Sequence, residues 1–349
     1  MSSAIATRPL GRTGLAVPEI GFGAAPLGNL YRAVPDGEAR AALDAALDAG
    51  LRYVDTAPHY GFGLSERRVG DAVRGHDVIV STKVGRLLRP VRTPFDANEE
   101  RHGFRSPMPF EPVFDYSHDG VLRSYEDSLQ RLGRARIDVA YVHDIGRLTH
   151  GDQHGERLGQ LVEGGGFAAL RRLKDEGAIG ALGIGVNEIA ICLELMERVE
   201  LDVILLAGRY TLLEQEALDQ LFPRCAAAGT SIVIGGPYNS GILAGDTLAP
   251  SPHYNYAPAP APVVERAERI AAICAANKVS LGAAALQFAL AHPQVASVIP
   301  GLASAAQVEE TVRRARLPIP PALWAELKAE GLLRPDAPIP TQNIEKVAS

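Results

Sequence analysis

Eight short apolar runs punctuate the chain at 20–24 (IGFGA), 53–57 (YVDTA), 78–84 (VIVSTKV), 137–144 (IDVAYVHD), 181–186 (ALGIGV), 203–208 (VILLAG), 231–236 (SIVIGG) and 297–301 (SVIPG). Each is nearly continuous rather than alternating. That pattern suits strands buried on both faces of a parallel sheet. Segments of helical period lie between them. In 36–50, Ala39, Ala42, Leu43, Ala46 and Leu47 share one face, Asp36 is a candidate N-cap and Gly50 a stop. Further helices are expected from Ser65 and over 124–133, 167–177, 188–199, 214–229, 263–277 and 304–315, with an extra one at 280–291. Eight βα alternations without a break in composition predict an α/β fold, a (β/α)8 TIM barrel. The rival, a doubly wound open sheet, opens with a glycine fingerprint from which a helix starts; no helix starts on the glycines of GFGAAPLG (21–28).

The segment RPLGRTGLAVPEI, about 8–20, reads as a hairpin turning around Gly11–Gly14 and plugging the floor of the barrel. The whole chain, 1–349, is expected to form one barrel domain, with a C-terminal helix and tail over about 318–349. Two connections exceed the usual handful of residues, 85–117 and 237–262. Both follow strands and so belong to the C-terminal face, where such barrels carry their sites. A third, 145–163, holds His150 and His154 and reads as a solvated loop; no carboxylate or Cys stands at a spacing that would make these a metal site.

Bulk composition narrows the classes. The 349 residues are 46% hydrophobic and 22% charged, with a net charge of −6. Basic residues do not cluster with aromatics, which argues against nucleic acid. No run approaches the ~18 apolar residues of a membrane span, and the N-terminus lacks the pattern of a signal peptide. Cys192, Cys225 and Cys274 lie far apart and read as small buried hydrophobes in a reducing cytoplasm. The expected state is a monomer or small homo-oligomer.

The chemistry gathers at strand ends. Asp55 ends the second strand, Lys83 the third and His143 the fourth, and Tyr60 lies in the loop after the second. Adjacent strands lie about 4.8 Å apart, so these groups converge. Singly, each has an ordinary structural explanation: an ion pair, a capped strand, a packing lid. Together they form an acid/base set. A phenol titrates near 10; a neighbouring ammonium is expected to lower it, a carboxylate keeps that ammonium charged and placed, and an imidazole orients the reacting oxygen. Tyr60 is therefore the candidate general base.

DTAPHYGFGLSE (55–66) closely resembles the aldo-keto reductase signature. So do the N-terminal hairpin, STKVG around Lys83, YVHD around His143, and VIPG at the eighth strand. The resemblance implies a nicotinamide-dependent oxidoreductase with Asp55, Tyr60, Lys83 and His143 as its tetrad, and a cofactor lying across the barrel mouth. It places Gly23, Gly185, Asn187, Gly235, Ser240, Gly241, Leu243, Pro300, Gly301, Ala303, Gln307 and Glu310 along the cofactor. The chain departs from the common pattern in three places. Gly185 and Val186 replace the usual Ser-Asn before Asn187, Ala207 stands for a Gln, and Gly235 stands for the aromatic that stacks on nicotinamide.

Family members that prefer NADP place cations after the eighth strand. Here Gly301, Leu302, Ala303 and Gln307 occupy that segment, followed by Glu309 and Glu310, so NAD is expected over NADP. These blocks, with PVFDYSHDGVLRSYEDSLQRLG (112–133), resemble the bacterial aldose 1-dehydrogenase branch. The expected reaction is oxidation of a free aldose of L-fucose, D-arabinose or L-galactose type at C1 to the lactone. His59, Tyr238 and Asn239 are candidates for the substrate rim. Alternatives are a pyridoxal 4-dehydrogenase, a general carbonyl reductase, and a non-catalytic nucleotide-binding regulatory barrel.

Overall fold

The computed structural model describes residues 5–92, 96, 98–249, 251–255 and 257–340. Its centre is one eight-stranded parallel sheet: β1 (Phe22–Gly23), β2 (Tyr53–Asp55), β3 (Ile79–Val84), β4 (Ile137–His143), β5 (Ile179–Val186), β6 (Val203–Ala207), β7 (Ser231–Gly235) and β8 (Val295–Ile299). Neighbours pair in chain order from β1 to β8. Parallel bridges Ile20 to Val298 and Gly23 to Gly301 then join the first strand to the last. That closure excludes the open doubly wound sheet. All eight apolar runs are strands because helices cover their outer face while their inner face fills the barrel.

The barrel interior is packed by Tyr53, Val139, Tyr141, Val203, Leu205, Val233 and Ile299. Tyr53 and Tyr141 share a 2.9 Å hydrogen bond between their hydroxyls, which satisfies both inside the barrel. The predicted hairpin is present as Thr7–Pro9 paired with Ala16–Pro18. It contributes Leu10 and Val17 to the same interior cluster, so it is the plug. Arg8 anchors it: Nη1 donates to the carbonyls of Leu290, His292 and Val295, and Nε to Glu19.

The outer helices follow the sequence closely, with informative differences. The first spans Asp36–Ala49 and ends on left-handed Gly50, but its N-cap is Pro35; Asp36 lies inside the first turn, where its charge faces the helix dipole. The helix expected at 124–133 begins earlier, at His118, because Ser117 caps it by accepting from Gly120 N. The expectation for 145–163 is overturned. Arg147–His150 and His154–Val162 are helical, and His150 and His154 are buried rather than solvated. His154 bonds Ile145 O and Glu194, and His150 bonds the Tyr116 hydroxyl. Among the described residues no His, Cys, Asp and Glu group could hold a metal ion.

All three cysteines are buried and unpaired. Helix Pro321–Ala329 lies in the expected C-terminal segment; residues 341–349 of that segment fall outside the described residues. No single described helix is long and apolar enough to cross a membrane.

Both long connections rise from the C-terminal face. After β3, Arg86–Pro90 pairs antiparallel with Phe110–Phe114, and a smaller ribbon, Glu100–Arg101 with Phe104–Arg105, folds back so that Phe104 bridges Leu30. After β7, His253–Tyr254 pairs with Ala257–Pro258.

Candidate active site

Parallel register sets the first contacts. Asp55 lies opposite Ser81, and Tyr141 opposite Lys83. Lys83 Nζ donates to Asp55 Oδ2 at 2.7 Å and to Thr56 O at 2.9 Å, while Ser81 Oγ donates to Asp55 Oδ1 at 2.7 Å. The pair is 3% and 2% exposed. Burial pushes the Asp55 carboxyl up, against the pull of Lys83 and Ser81.

Tyr60 arrives from the turn after β2. That turn is possible because two backbones nearly touch. A Cβ on Gly28 would lie 2.4 Å from Tyr60 C, and one on Gly61, at φ +64°, would lie 2.4 Å from Gly28 O. Gly28→Ala is therefore expected to displace the Tyr60 turn, with a stability loss of about 1–3 kcal/mol and a disproportionate fall in turnover. Denaturant unfolding beside steady-state kinetics checks this; unchanged kinetics would mean the turn tolerates the methyl.

Lys83 Nζ sits 4.6 Å from the centroid of the Tyr60 ring. The His143 ring stands perpendicular to Tyr60 at 6.0 Å. The structure thus brings Tyr60 together with the three strand-end residues Asp55, Lys83 and His143. It corrects one expectation about their charge. The Tyr60 phenol is not lowered but held well above 10, first by burial and then by the negative charges of Asp55 and Asp144, with Arg86 opposing. His143 is held well below 6.5, first by burial and then by Arg86, Lys83 and His59. It is a neutral imidazole at pH 7, able to donate or accept but not to contribute charge.

From Tyr60 a groove of about 470 Å³ runs across the barrel mouth. Gly23, Asn187, Gly235, Ser240, Gly241, Gly301, Ala303 and Gln307 line it, with Tyr238 and Asn239. Four other expected positions stand apart from its wall. Gly185 lies beneath Lys83, where a Cβ would come within 3.2 Å of Lys83 Cε. Leu243 is fully buried in the core. Pro300 is buried and spends its carbonyl on Gly23 N. Glu310 is bound to Arg313 and Arg314.

Asn239 donates to Gly208 O at 3.1 Å and keeps a buried Oδ1 without a partner. The Tyr238 ring also lies 5.8 Å from the Arg314 guanidinium. His59 is no surface residue. It is wedged among Phe62, His102, Phe104 and His143, and its Nδ1 is buried without a partner.

The groove fits an extended nucleotide. Gly23, Gly208, Gly235, Gly236, Gly241 and Gly301 along it present backbone where side chains would fill it; a Cβ on Gly235 would already press Leu205 at 3.1 Å. Ala207 and Gly235, small where the family pattern is large, widen this end.

The aldo/keto reductase family profile matches residues 19–330. The chain belongs to the aldo/keto reductase family. It is 43% identical to the pyridoxal 4-dehydrogenase of Microbacterium luteolum, covering 93% of this chain and 97% of that protein. It is 42% identical to a D-threo-aldose 1-dehydrogenase from a Pseudomonas species, covering 92% and 96%. Among solved structures, the holo form of aldo-keto reductase AKR11C1 from Bacillus halodurans superposes with a TM-score of 0.71 at 26% identity, covering 97% and 99%. This aldo-keto reductase is thus an oxidoreductase of CH–OH groups that uses a nicotinamide cofactor.

Two charged residues beside the four escaped the sequence. Arg86 and Asp144 form an ion pair next to His143. Tyr116 adds a clamp from behind, its hydroxyl donating to His143 O at 2.7 Å. Arg86 sits in a segment that reads as a loop, and its partner lies 58 positions away. The available signal was a cation three residues past Lys83 and a carboxylate directly after His143.

Proposed function

We propose that this aldo-keto reductase oxidises a free aldose at C1 to the lactone with NAD+. The observation that carries the reading is Tyr60 at the end of a glycine-lined groove, with Lys83 against its ring and His143 edge-on to it. When bound, NAD+ supplies the acceptor for the hydride. Asn187, Gly235, Ser240, Gly241, Gly301, Ala303 and Gln307 would hold it. Tyr60, as phenolate, takes the proton of the anomeric hydroxyl while the C1–H bond leaves with its electron pair. The C1–O bond becomes the lactone carbonyl, and the proton passes on to solvent. Lys83 stands against the Tyr60 ring, Asp55 holds Lys83 in place, Arg86 is the cation that opposes the rise of the phenol, and neutral His143 hydrogen-bonds the reacting oxygen. The aldose is of L-fucose, D-arabinose or L-galactose type. The similarity to L-galactose dehydrogenase of Arabidopsis thaliana, 31% over 88% of this chain, supports that class.

A second reading has its own support. The pyridoxal 4-dehydrogenase relative is as similar as the aldose enzyme, and a cyclic hemiacetal of pyridoxal would undergo the same chemistry. NADH formation at pH 9 with L-fucose, L-galactose, D-arabinose and pyridoxal separates the two. Turnover of aldoses supports the first reading, and turnover of pyridoxal alone replaces it with the second.

Run with both cofactors, the same assay tests their order. No cation stands in 300–310, and Arg313 and Arg314 beyond it are engaged by Glu310. Arg32, on the groove wall, is paired with Glu38. A 2′-phosphate would therefore meet no free cation among these residues, and NAD+ is expected to give the higher kcat/KM. A higher value with NADP+ would reverse the assignment.

The pH profile follows from Tyr60. Its phenol is raised, and oxidation needs the phenolate, so the reactive fraction grows with each pH unit up to the pKa. Oxidation kcat/KM is expected to climb from pH 7 through pH 9. A profile already flat at pH 7, with chemistry rate-limiting, would remove Tyr60 as the base.

A further inference from the structure

The scheme above leaves Arg86 and Asp144 without a task. Asp144 follows His143 with φ at +44°, the left-handed region that costs a non-glycine residue energy and recurs where geometry serves a site. Its Oδ2 takes both neighbours: Arg86 Nη2, and His143 Nε2 at 3.4 Å. Among the described residues no donor reaches Oδ1, and the side chain is 24% exposed. The Arg86 side chain is 8% exposed, its guanidinium lies 4.8 Å from the Phe114 ring, and its Nε is buried without a partner. His143, whose Nε2 lies 3.4 Å from Asp144 Oδ2, stands edge-on to Tyr60 at 6.0 Å, so the pair is one ring away from the Tyr60 phenol. His59 Nδ1 and His143 Nδ1, on rings 5.9 Å apart, are also buried without partners.

A buried ion pair kept for stability alone has its remaining donors and acceptors satisfied, because each open one costs free energy. This pair does not. It presents a carboxylate oxygen and a guanidinium side by side, the complement of neighbouring hydroxyl oxygens: the oxygen accepts from one hydroxyl while the guanidinium donates to the next. A polyhydroxylated substrate offers that pattern repeatedly around its ring, and pyridoxal offers it once, through the 3-hydroxyl beside the reacting carbon.

We propose that Asp144 and Arg86 read the substrate's C2 hydroxyl, Asp144 Oδ1 accepting its hydrogen and the Arg86 guanidinium donating to the oxygen beside it. The position follows from the chain. His143 and Tyr60 hold the oxygen on C1, and Asp144 is the next residue after His143. This assignment rests on the aldose reading and makes the pair a specificity determinant of the same site.

The test compares an aldose that the wild type oxidises with its 2-deoxy analogue, at saturating NAD+, in wild type and Asp144→Ala. The wild type should lose about 10- to 100-fold in kcat/KM on removal of the hydroxyl, the range for a hydrogen bond to a charged group. Asp144→Ala should lose a similar factor on the full aldose and then treat both sugars alike. Asp144→Asn keeps the shape should the alanine variant fail to fold, and its discrimination should fall between the two.

If Asp144 only positions His143, both sugars lose equally and the wild-type discrimination survives the substitution; that result overturns the proposal and leaves the aldose reading standing. A wild type that ignores the 2-deoxy change overturns it too. A wild type inert on every aldose but active on pyridoxal removes the reading itself, and the assignment with it.

Discussion

Tyr60→Phe is expected to lower kcat by about 10²–10⁴-fold, the range for losing a general acid/base, with NAD+ affinity unchanged. The substitution removes one oxygen. The ring keeps its place against Lys83 at 4.6 Å, His143 at 6.0 Å and Phe104 at 6.4 Å. The groove wall from Asn187 to Gln307 owes little to the phenol oxygen. Steady-state kinetics on a wild-type substrate, with calorimetric titration of NAD+, separates the two effects. A variant within tenfold of wild-type kcat would take Tyr60 out of the chemistry.

The second large effect is on the pair beneath it. Asp55→Ala leaves the Lys83 ammonium, 2% exposed, with Thr56 O as its remaining bond. Stranding a buried charge costs about 3–5 kcal/mol, and turnover should collapse with it because Lys83 loses the group that holds it. Removing the charge as well, in Asp55→Ala/Lys83→Met, should recover most of the stability and none of the activity. Urea unfolding of the single and double variants reads the first quantity, kinetics the second. An Asp55→Ala variant within about 0.5 kcal/mol of wild type, the range of an ordinary surface change, would mean the buried pair is not the anchor described.

Much of the fold was legible because parallel strands buried on both faces write themselves as unbroken Val- and Ile-rich runs. The positions of Asp55, Lys83 and His143 were legible for the same reason: a polar residue ending such a run must point into the mouth. The segment 145–163 was misread because its glycines and histidines obscure a sparse apolar face. His154, Leu158 and Leu161 are the buried positions of that helix, and only two of them are hydrophobic.

The direction of the Tyr60 shift was misread for a different reason. Burial outweighs any neighbouring cation, with the Asp55 and Asp144 charges adding to it, and part of that burial comes from the ribbon after β3, whose Phe104 lies 6.4 Å from the Tyr60 ring. The Arg86–Asp144 pair was invisible on the same ground, since it exists only once that ribbon packs against the end of β4. Half-buried contacts between a loop and a strand end leave no period in the sequence.

The closure of the barrel also has a consequence for its synthesis. Ile20 pairs with Val298, and Arg8 reaches the Val295 carbonyl across 287 positions. A ribosome therefore delivers seven strands before the partner of the first exists. Until then β1 and β7 are open, apolar edges, and the hairpin has no finished floor to plug. Contacts this distant along the chain slow folding and leave a nascent intermediate prone to association. The eighth strand, Val295–Ile299, thus seals the whole molecule, and recovery of soluble protein should depend more on how quickly it is reached than on the stability of the finished barrel.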